Sequence, residues 1–488
     1  MSTTSSVVSF VDLVFHHALS RPQKPAIILP DRVVTYDMMA QGILRVEERV
    51  RSLGLAQDSL VCLSFDSPIR QMIVSAALFR LGHPVIATIR PADCLPLRLP
   101  VGAFFHDPGI PLLPAQQQVL VDDKWFEGER RVSTASPAKG FVDEEKICCV
   151  ALSSGTTGRP KAISLTIKAF QQWIMNYYST LGLGTWERLL LLIGLTSSWG
   201  FSLAAHALFA GRTLIFARNP RESLHMMSVY GVDAMAATSV QLRETVREQA
   251  REPVPLTSLR SVLTGGGSLS QSMMAEARAQ LCSAIVNLYG STEAGGTAFT
   301  TVDQLSETEG AAGYVAPWAD VEVVDTSGNR LPAGTNGILR IRATCQGAPY
   351  PPEQAASNDS FRDGWFYPGD LGCITLGGLM VLSGRTSNVI NVGGLKLASE
   401  VIEDVLRSHP AVTEVVAFGA MGESGIEEIS VALVANRPVA DSHLIDWSAE
   451  RGIPLTRVFF VDTLPKTPSG KIHRDLLKQQ LLDSDAAI

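Results

Sequence analysis

The chain has 488 residues, more than one hydrophobic core usually organises, so at least two domains are expected. With 46% hydrophobic, 18% charged and 7% aromatic residues it has ordinary globular composition, which excludes a disordered or fibrous class. A net charge of -7 without any lysine- or arginine-rich run excludes the electrostatic footprint of a nucleic-acid partner or an anionic membrane surface.

No basic residue precedes Arg21, and Asp12 interrupts the first apolar stretch, so a secretory signal is not expected. Apolar runs such as Leu189 to Ile193 are far too short to span a bilayer. The seven cysteines are scattered and never form a CxxC pair, which reads as buried thiols in a reducing, cytoplasmic compartment.

Short β-branched or leucine-rich runs then alternate with amphipathic helical stretches, predicting α/β layers. Ile147 to Leu152 reads as a buried strand, followed by a polar Gly-rich break. Phe170, Trp173, Ile174 and Tyr177 next fall on one helix face at i, i+3, i+4 and i+7. Leu189 to Ile193, Thr213 to Ala217, Ser261 to Thr264 and Ala284 to Leu288 repeat the strand signal, with a helix from Gln271 to Leu281 between the last two. From Val321 to Arg342 the pattern becomes alternating, with turns at Ser327-Gly328-Asn329 and Ala333-Gly334, as in a hairpin-rich β subdomain. After Gly384 a smaller α/β domain is expected, with Val401, Ile402, Val405 and Leu406 on one helix face and strands at Val412 to Phe418 and Ile429 to Val434.

The string Ser153-Ser154-Gly155-Thr156-Thr157-Gly158-Arg159-Pro160-Lys161, placed between strand and helix, offers backbone N–H groups, hydroxyls and a lysine to phosphate oxygens. It lacks the spacing of a Walker A loop, and taken alone it also fits a surface turn. Further along stand Asn287-Leu288-Tyr289-Gly290-Ser291-Thr292-Glu293, Phe366-Tyr367-Pro368-Gly369-Asp370, Gly384-Arg385 and Pro465-Lys466-Thr467-Pro468-Ser469-Gly470-Lys471. In this order the five segments resemble the motifs of the adenylate-forming superfamily, which holds acyl-CoA synthetases, adenylation domains of nonribosomal peptide synthetases and firefly luciferase. The resemblance covers residues 153 to 471, and the first 150 residues match only loosely.

The resemblance implies a large N-terminal domain, residues 1–384, of α/β layers plus a β subdomain, and a small mobile C-terminal α/β domain, residues 385–488. It implies ATP and magnesium as cofactors, a small carboxylic acid as substrate, and coenzyme A or another pantetheine thiol as acceptor, with an acyl carrier protein as the alternative partner. Ser153, Ser154, Gly155, Thr156, Thr157, Gly158 and Lys161 would meet the phosphates. Gly266, Gly267, Asn287, Tyr289 and Gly290 would hold the adenine, Thr292 the α-phosphate and Glu293 the magnesium. Asp370 and Arg385 would bind the ribose, with Lys396 a second cation near the nucleotide and Lys471 the catalytic ammonium. Ser197, Trp199, Ala294, Gly295 and Gly296 would line the acid site, and Gly393 and Gly394 the thiol tunnel.

Amino-acid-activating members of the family usually place an aspartate in the segment matching Thr196 to Ser202 to pair with the substrate ammonium, and no carboxylate stands there, so the resemblance implies a non-amino acid; Trp199 and the small Ala294, Gly295 and Gly296 point to an aryl or modest acyl group over a long chain. Ser197 stands where many acyl- and aryl-CoA relatives have histidine, and Ser387 stands where the family's hinge commonly has Asp or Lys. The nine histidines are given no catalytic role, His206 in its apolar helical stretch included. Gly265-Gly266-Gly267-Ser268-Leu269 superficially matches a phosphopantetheine attachment site but stands between a strand and a helix of the α/β region. The competing readings are an adenylating ligase with a non-CoA acceptor and a nucleotide-binding protein without catalysis.

Overall fold

A computed structural model describes residues 10–89, 91, 94, 97–112, 115, 117–128, 140–141, 143–154, 160–179, 185–267, 269, 271–301, 308, 310–350, 360–392, 395–421, 427–466 and 472–485. The large unit contains two extended sheets. In one, parallel strands Pro25–Leu29, Thr213–Ile215, Arg188–Leu191, Ala234–Thr238, Ser261–Gly265 and Ile285–Ser291 lie side by side. The same sheet continues without a break through antiparallel strands Gly295–Thr301, Ala311–Val315, Leu379–Arg385, Asp370–Ile374 and Gly337–Ala343. The β subdomain is therefore an extension of the α/β sheet. Its predicted turn at Ser327 to Asn329 is closed by Asp325, whose carboxylate accepts from the Ser327 and Asn329 backbone N–H groups.

The second sheet holds Leu60–Ser64, Val85–Ala87, Val101–His106, Gln117–Leu120 and Ile147–Ser154, with Pro160–Thr166 antiparallel to the last. This corrects one expectation. The Gly-rich segment does not pass from strand to helix but joins two strands of a hairpin, with Ser153 opposite Lys161 and Ser154 opposite Pro160. The helix Ile167–Ser179 begins only afterwards. Pro160 marks the strand's first residue, where its missing N–H is tolerated, and Ala162 to Leu165 are all buried, so neither alternation nor a break announced the strand.

Among the helices packed into the core shared with the two sheets are Phe10–Ser20, Pro68–Leu81, Ile167–Ser179 and Ser198–Phe209. Each contributes one ring to a cluster of Phe10, Phe79, Phe170 and Phe201, in which all six pairs of centroids lie 5.5 to 6.5 Å apart. Such pairs add about 0.5–1.5 kcal/mol each beyond area burial, so the cluster fixes the mutual placement of the four helices.

Beyond Arg385 a short turn, Thr386–Asn388, leads into the hairpin Val389–Val392 and Leu395–Ala398 and then a three-stranded sheet of Val412–Met421, Glu427–Ala435 and Leu455–Phe460. Helices Ser399–Arg407 and Asp441–Ala449 pack on it around a core that includes Ile390, Ile402, Leu406 and Leu444. Val401, expected on the buried face, is 44% exposed, because the apolar stripe of this short helix is carried by Ile402 and Leu406. None of the seven cysteines is in a disulfide, and no described helix is long and apolar enough to cross a membrane.

His206 is fully buried, with Nδ1 2.9 Å from the Ile174 carbonyl, and burial together with the Arg212 charge lowers its pKa to about 4. The unfolded chain takes up this proton near pH 6.5 while the folded chain does not, so stability is expected to fall as pH drops from 6.5 to 4, by about 3 kcal/mol from this residue. Urea unfolding at both pH values should show that slope reduced in His206→Gln.

Candidate active site

Asp370 opens the strand Asp370–Ile374 and lies directly across from Arg385, the last residue of Leu379–Arg385. Its carboxylate is buried and accepts from two neighbours: Arg385 Nε reaches Oδ1 at 2.8 Å and the Tyr289 hydroxyl reaches Oδ2 at 2.5 Å. Burial and the Asp370 charge push the Tyr289 phenol well above its ordinary pKa, so it remains a donor. Burial opposes the Arg385 charge, but the nearby Asp370 outweighs it and raises that pKa. Two residues 81 and 15 positions from Asp370 thus meet it because antiparallel pairing closes the sheet around them.

Asn287 sits two residues before Tyr289 on the strand Ile285–Ser291 and faces Thr264 across the parallel pair. The buried Asn287 Oδ1 and Thr264 Oγ1 have no hydrogen-bond partner among the described residues, leaving an acceptor and a hydroxyl beside the Gly265-Gly266-Gly267 turn. At Gly267 a Cβ would stand 2.5 Å from Ser239 Oγ, so a side chain there would require that hydroxyl to turn away. Gly290 is more strictly confined, its Cβ position lying 2.4 Å from the backbone carbonyl oxygen of Gly295. Thr292 Oγ1 accepts from Ser198 Oγ at 3.3 Å, and the Glu293 carbonyl accepts from Gly347 N at 2.8 Å.

The Ser198–Thr292 contact joins this motif to a narrow cleft between the two sheets. Leu195, Thr196, Ser197, Ser198 and Phe201 line one part of it, and Gln71, Val85, Ala87 and Cys149 to Ala151 complete it from other elements. Ser197 caps the helix Ser198–Phe209, accepting from Gly200 N at 3.0 Å and donating to the Gly194 carbonyl at 2.8 Å, which accounts for a small hydroxyl residue there. Trp199 packs at the Gly265 turn. Ala294, Gly295 and Gly296 do not line this cleft. Ala294 is buried with Ile341 and Phe366, Gly295 lies under Trp173, and Gly296 is packed between Leu288 and Phe299. The sequence reading did not name Gln71, Val85 or Ala87, which line this cleft from the region where motif resemblance is loosest; in a helix that also holds Arg70, Ser75 and Arg80, nothing set Gln71 apart.

Lys161 Nζ donates to Ser360 Oγ at 3.3 Å. Residues Gly155 to Gly158, Gly393, Gly394 and Lys471 lie outside the described residues, as do the side chains of Ser153, Ser154 and Lys396, although Lys396 pairs through its backbone with Asn391. The ends of the segment bearing Lys471 are tied together by a bridge between Lys466 and Ile472 and by His473 N donating to the Pro465 carbonyl at 2.8 Å. Arg474 then donates to the buried Glu403 carboxylate at 2.5 Å. At the turn between the two units, Thr386 N donates to the Gly369 carbonyl at 2.7 Å and Asn388 Nδ2 to Glu400 at 2.7 Å.

Comparison with known proteins matches residues 108–350 to the family model of AMP-binding enzymes and residues 401–471 to that of the AMP-binding enzyme C-terminal domain. The 2-succinylbenzoate–CoA ligase of Bacillus licheniformis is 25% identical over 93% of this chain and 97% of its own. A fatty acid–[acyl-carrier-protein] ligase of Streptomyces coeruleorubidus is 25% identical over 98% and 97%. Among solved structures, the o-succinylbenzoate coenzyme A synthetase of Bacillus subtilis in complex with ATP and magnesium superposes with a TM-score of 0.84 at 22% identity, over 96% of this chain and 99% of that one.

Gly295 has φ +69°, and a Cβ there would stand 2.7 Å from the Trp173 indole nitrogen, which donates to the Cys345 carbonyl. Gly295→Ala is therefore expected to destabilise the fold by about 2 kcal/mol, read as a lower urea midpoint with altered tryptophan emission.

Proposed function

The chain belongs to the AMP-binding, adenylate-forming enzymes, and on that footing we propose that it activates a small carboxylic acid with ATP and transfers the acyl group to a thiol, coenzyme A in the first place. The observation that carries this reading is the convergence of Tyr289 and Arg385 on the buried Asp370 carboxylate, with a separate cleft reached through Thr292 and Ser198.

In the first half-reaction a carboxylate oxygen attacks the α-phosphorus of ATP, an acyl–phosphate bond forms, and the bond to pyrophosphate breaks with its electron pair leaving on that group. Asp370 accepts from the ribose hydroxyls while Tyr289 and Arg385 hold it in place, and Tyr289 offers its ring to the adenine. Asn287 Oδ1 and the Gly265-Gly266-Gly267 turn supply the base's polar contacts. Thr292 donates to the α-phosphate. Glu293 provides the single hard carboxylate that suits magnesium, which neutralises phosphate charge when bound. Because the Gly-rich segment connects two strands, its phosphate contacts come from hairpin N–H groups, hydroxyls and Lys161 and not from a helix dipole. Lys471 bridges carboxylate and phosphate oxygens as charge develops.

In the second half-reaction the small domain, residues 385–488, rotates about Thr386–Asn388, withdraws Lys471 and brings Gly393 and Gly394 to the thiol path. The thiol sulfur attacks the acyl carbon, AMP leaves, and the thiol proton passes to solvent. The aromatic acid of the Bacillus licheniformis relative supports an aryl or short acyl substrate, and the carrier-protein ligase of Streptomyces coeruleorubidus supports a carrier pantetheine as the alternative acceptor. The unpaired cysteines fit the reducing cytoplasm.

Acid-dependent exchange of labelled pyrophosphate into ATP, run over aryl, short-chain, long-chain and α-amino acids, tests the first half-reaction. Exchange is expected with aryl or short acids; exchange confined to α-amino acids overturns the substrate class, and none with any acid leaves a nucleotide-binding protein without catalysis. Lys471→Ala should slow acyl-adenylate formation about 100- to 1,000-fold while still converting supplied acyl-adenylate and thiol to thioester. Near-normal adenylation in that variant contradicts the lysine's role. Ser387→Pro should slow thioester formation and spare adenylation, and an equal loss of both would place the pivot elsewhere.

A further inference from the structure

The turn Thr386–Asn388 is gripped at both ends. On the side of the large unit, Thr386 donates twice to the Gly369 carbonyl, from N at 2.7 Å and from Oγ1 at 3.1 Å, and Gly369 directly precedes Asp370. On the side of the small unit, Asn388 Nδ2 donates to Glu400 Oε1 at 2.7 Å. Glu400 stands in the first turn of the helix Ser399–Arg407, where the helix dipole also favours a carboxylate.

The second oxygen of Glu400 reaches back across the turn. Oε2 accepts from Ser399 Oγ at 3.4 Å and lies 3.2 Å from the position a Cβ would take on Gly384, the residue before Arg385. Ala398 is closer still, its Cβ 2.3 Å from that position, and Gly384 has φ +138°. Glycine is therefore what lets the start of the helix close on the end of the strand Leu379–Arg385.

This closure places Arg385 under the influence of two carboxylates from opposite sides of the turn. Asp370 accepts from its Nε, and the charge of Glu400 acts on it through space. Burial works against the Arg385 cation, while Asp370, and Glu400 to a smaller extent, work for it. Ribose hydroxyls donating to Asp370 disperse that carboxylate's charge, so its claim on Arg385 weakens and the guanidinium is left more to Glu400.

We infer that Glu400 is a positioning residue through which a nucleotide at Asp370 tightens the hold on the turn Thr386–Asn388. This deepens the adenylation reading above and rests on it, since it takes the nucleotide to sit at Asp370 and the small unit to pivot at this turn. The coupling is reciprocal, so the closed turn in its own right favours the bound nucleotide. Glu400 does this by two separable contacts: a hydrogen bond that secures Asn388, and a charge that answers Arg385.

Amide hydrogen exchange of the full chain, followed by mass spectrometry with and without saturating AMP, tests this without knowledge of the acid or the thiol. In the wild-type protein AMP is expected to slow exchange across residues 384–392 by about fivefold or more. Glu400→Ala should speed exchange there in the free protein and abolish the slowing by AMP, while AMP still protects Ile285–Ser291, which shows that the variant is folded and occupied. Glu400→Gln keeps an acceptor for Asn388 but loses the charge, so its free exchange should stay near that of the wild type while its response to AMP falls. An AMP response of wild-type size in both variants would overturn the inference and leave the nucleotide site intact, even if the alanine variant exchanged faster when free. Failure of AMP to protect either segment in the wild-type protein would overturn the nucleotide site and the inference together.

Discussion

The site depends on one buried carboxylate. Asp370 is removed from solvent at the point where two antiparallel strands meet the end of a parallel strand, and a charge in such a place is tolerated only when its hydrogen bonds are made. Arg385 and Tyr289 make them. Because Arg385 is also the last residue of its strand before the Thr386–Asn388 turn, the same ion pair that solvates Asp370 stands at the proposed boundary between the large and small units. The electrostatic requirement of a single residue thereby couples the sheet, the proposed ribose site and the proposed pivot.

Around that point the two sheets supply different things. The sheet containing Ile285–Ser291 carries the proposed nucleotide motif at the transition from parallel to antiparallel pairing, and the other sheet carries the Gly-rich hairpin and one wall of the cleft. What keeps the walls in register is the four-phenylalanine cluster, since Phe79 shares a helix with Gln71 and Phe201 shares one with Ser198. Aromatic packing, in which Phe201 itself lines the cleft, therefore sets the width of the proposed acid site. The turn into the small domain is held by polar contacts such as Asn388 to Glu400, which suits an element proposed to rotate.

Much of this was legible in the residues. Leu189 to Ile193 could be read as a strand because a parallel sheet covered on both faces leaves a continuous apolar run. The motif bearing Asn287 and Tyr289 was recognisable, and the structure brings Tyr289, Asp370 and Arg385 together. Pro160–Thr166 was hidden because a strand that opens on proline and buries Ala162 to Leu165 in succession shows neither alternation nor a clean boundary. Gln71 was hidden for a related reason: nearly the whole circumference of its helix is buried, so no polar face was available against which it could stand out. Ala294 to Gly296 show the converse limit, small residues that signal close packing without saying whether the neighbour is a substrate or the protein's own Trp173 and Phe366.

If Asp370 is the anchor of the nucleotide, binding of AMP alone must depend on it, independently of which acid or thiol the enzyme uses. Calorimetric titration of AMP into the wild-type protein and into Asp370→Asn, with thermal unfolding confirming that both are folded, isolates that dependence. The account predicts affinity weaker by about tenfold or more in the variant, as expected for loss of a charge-assisted hydrogen bond. Equal affinity in the two proteins would contradict it.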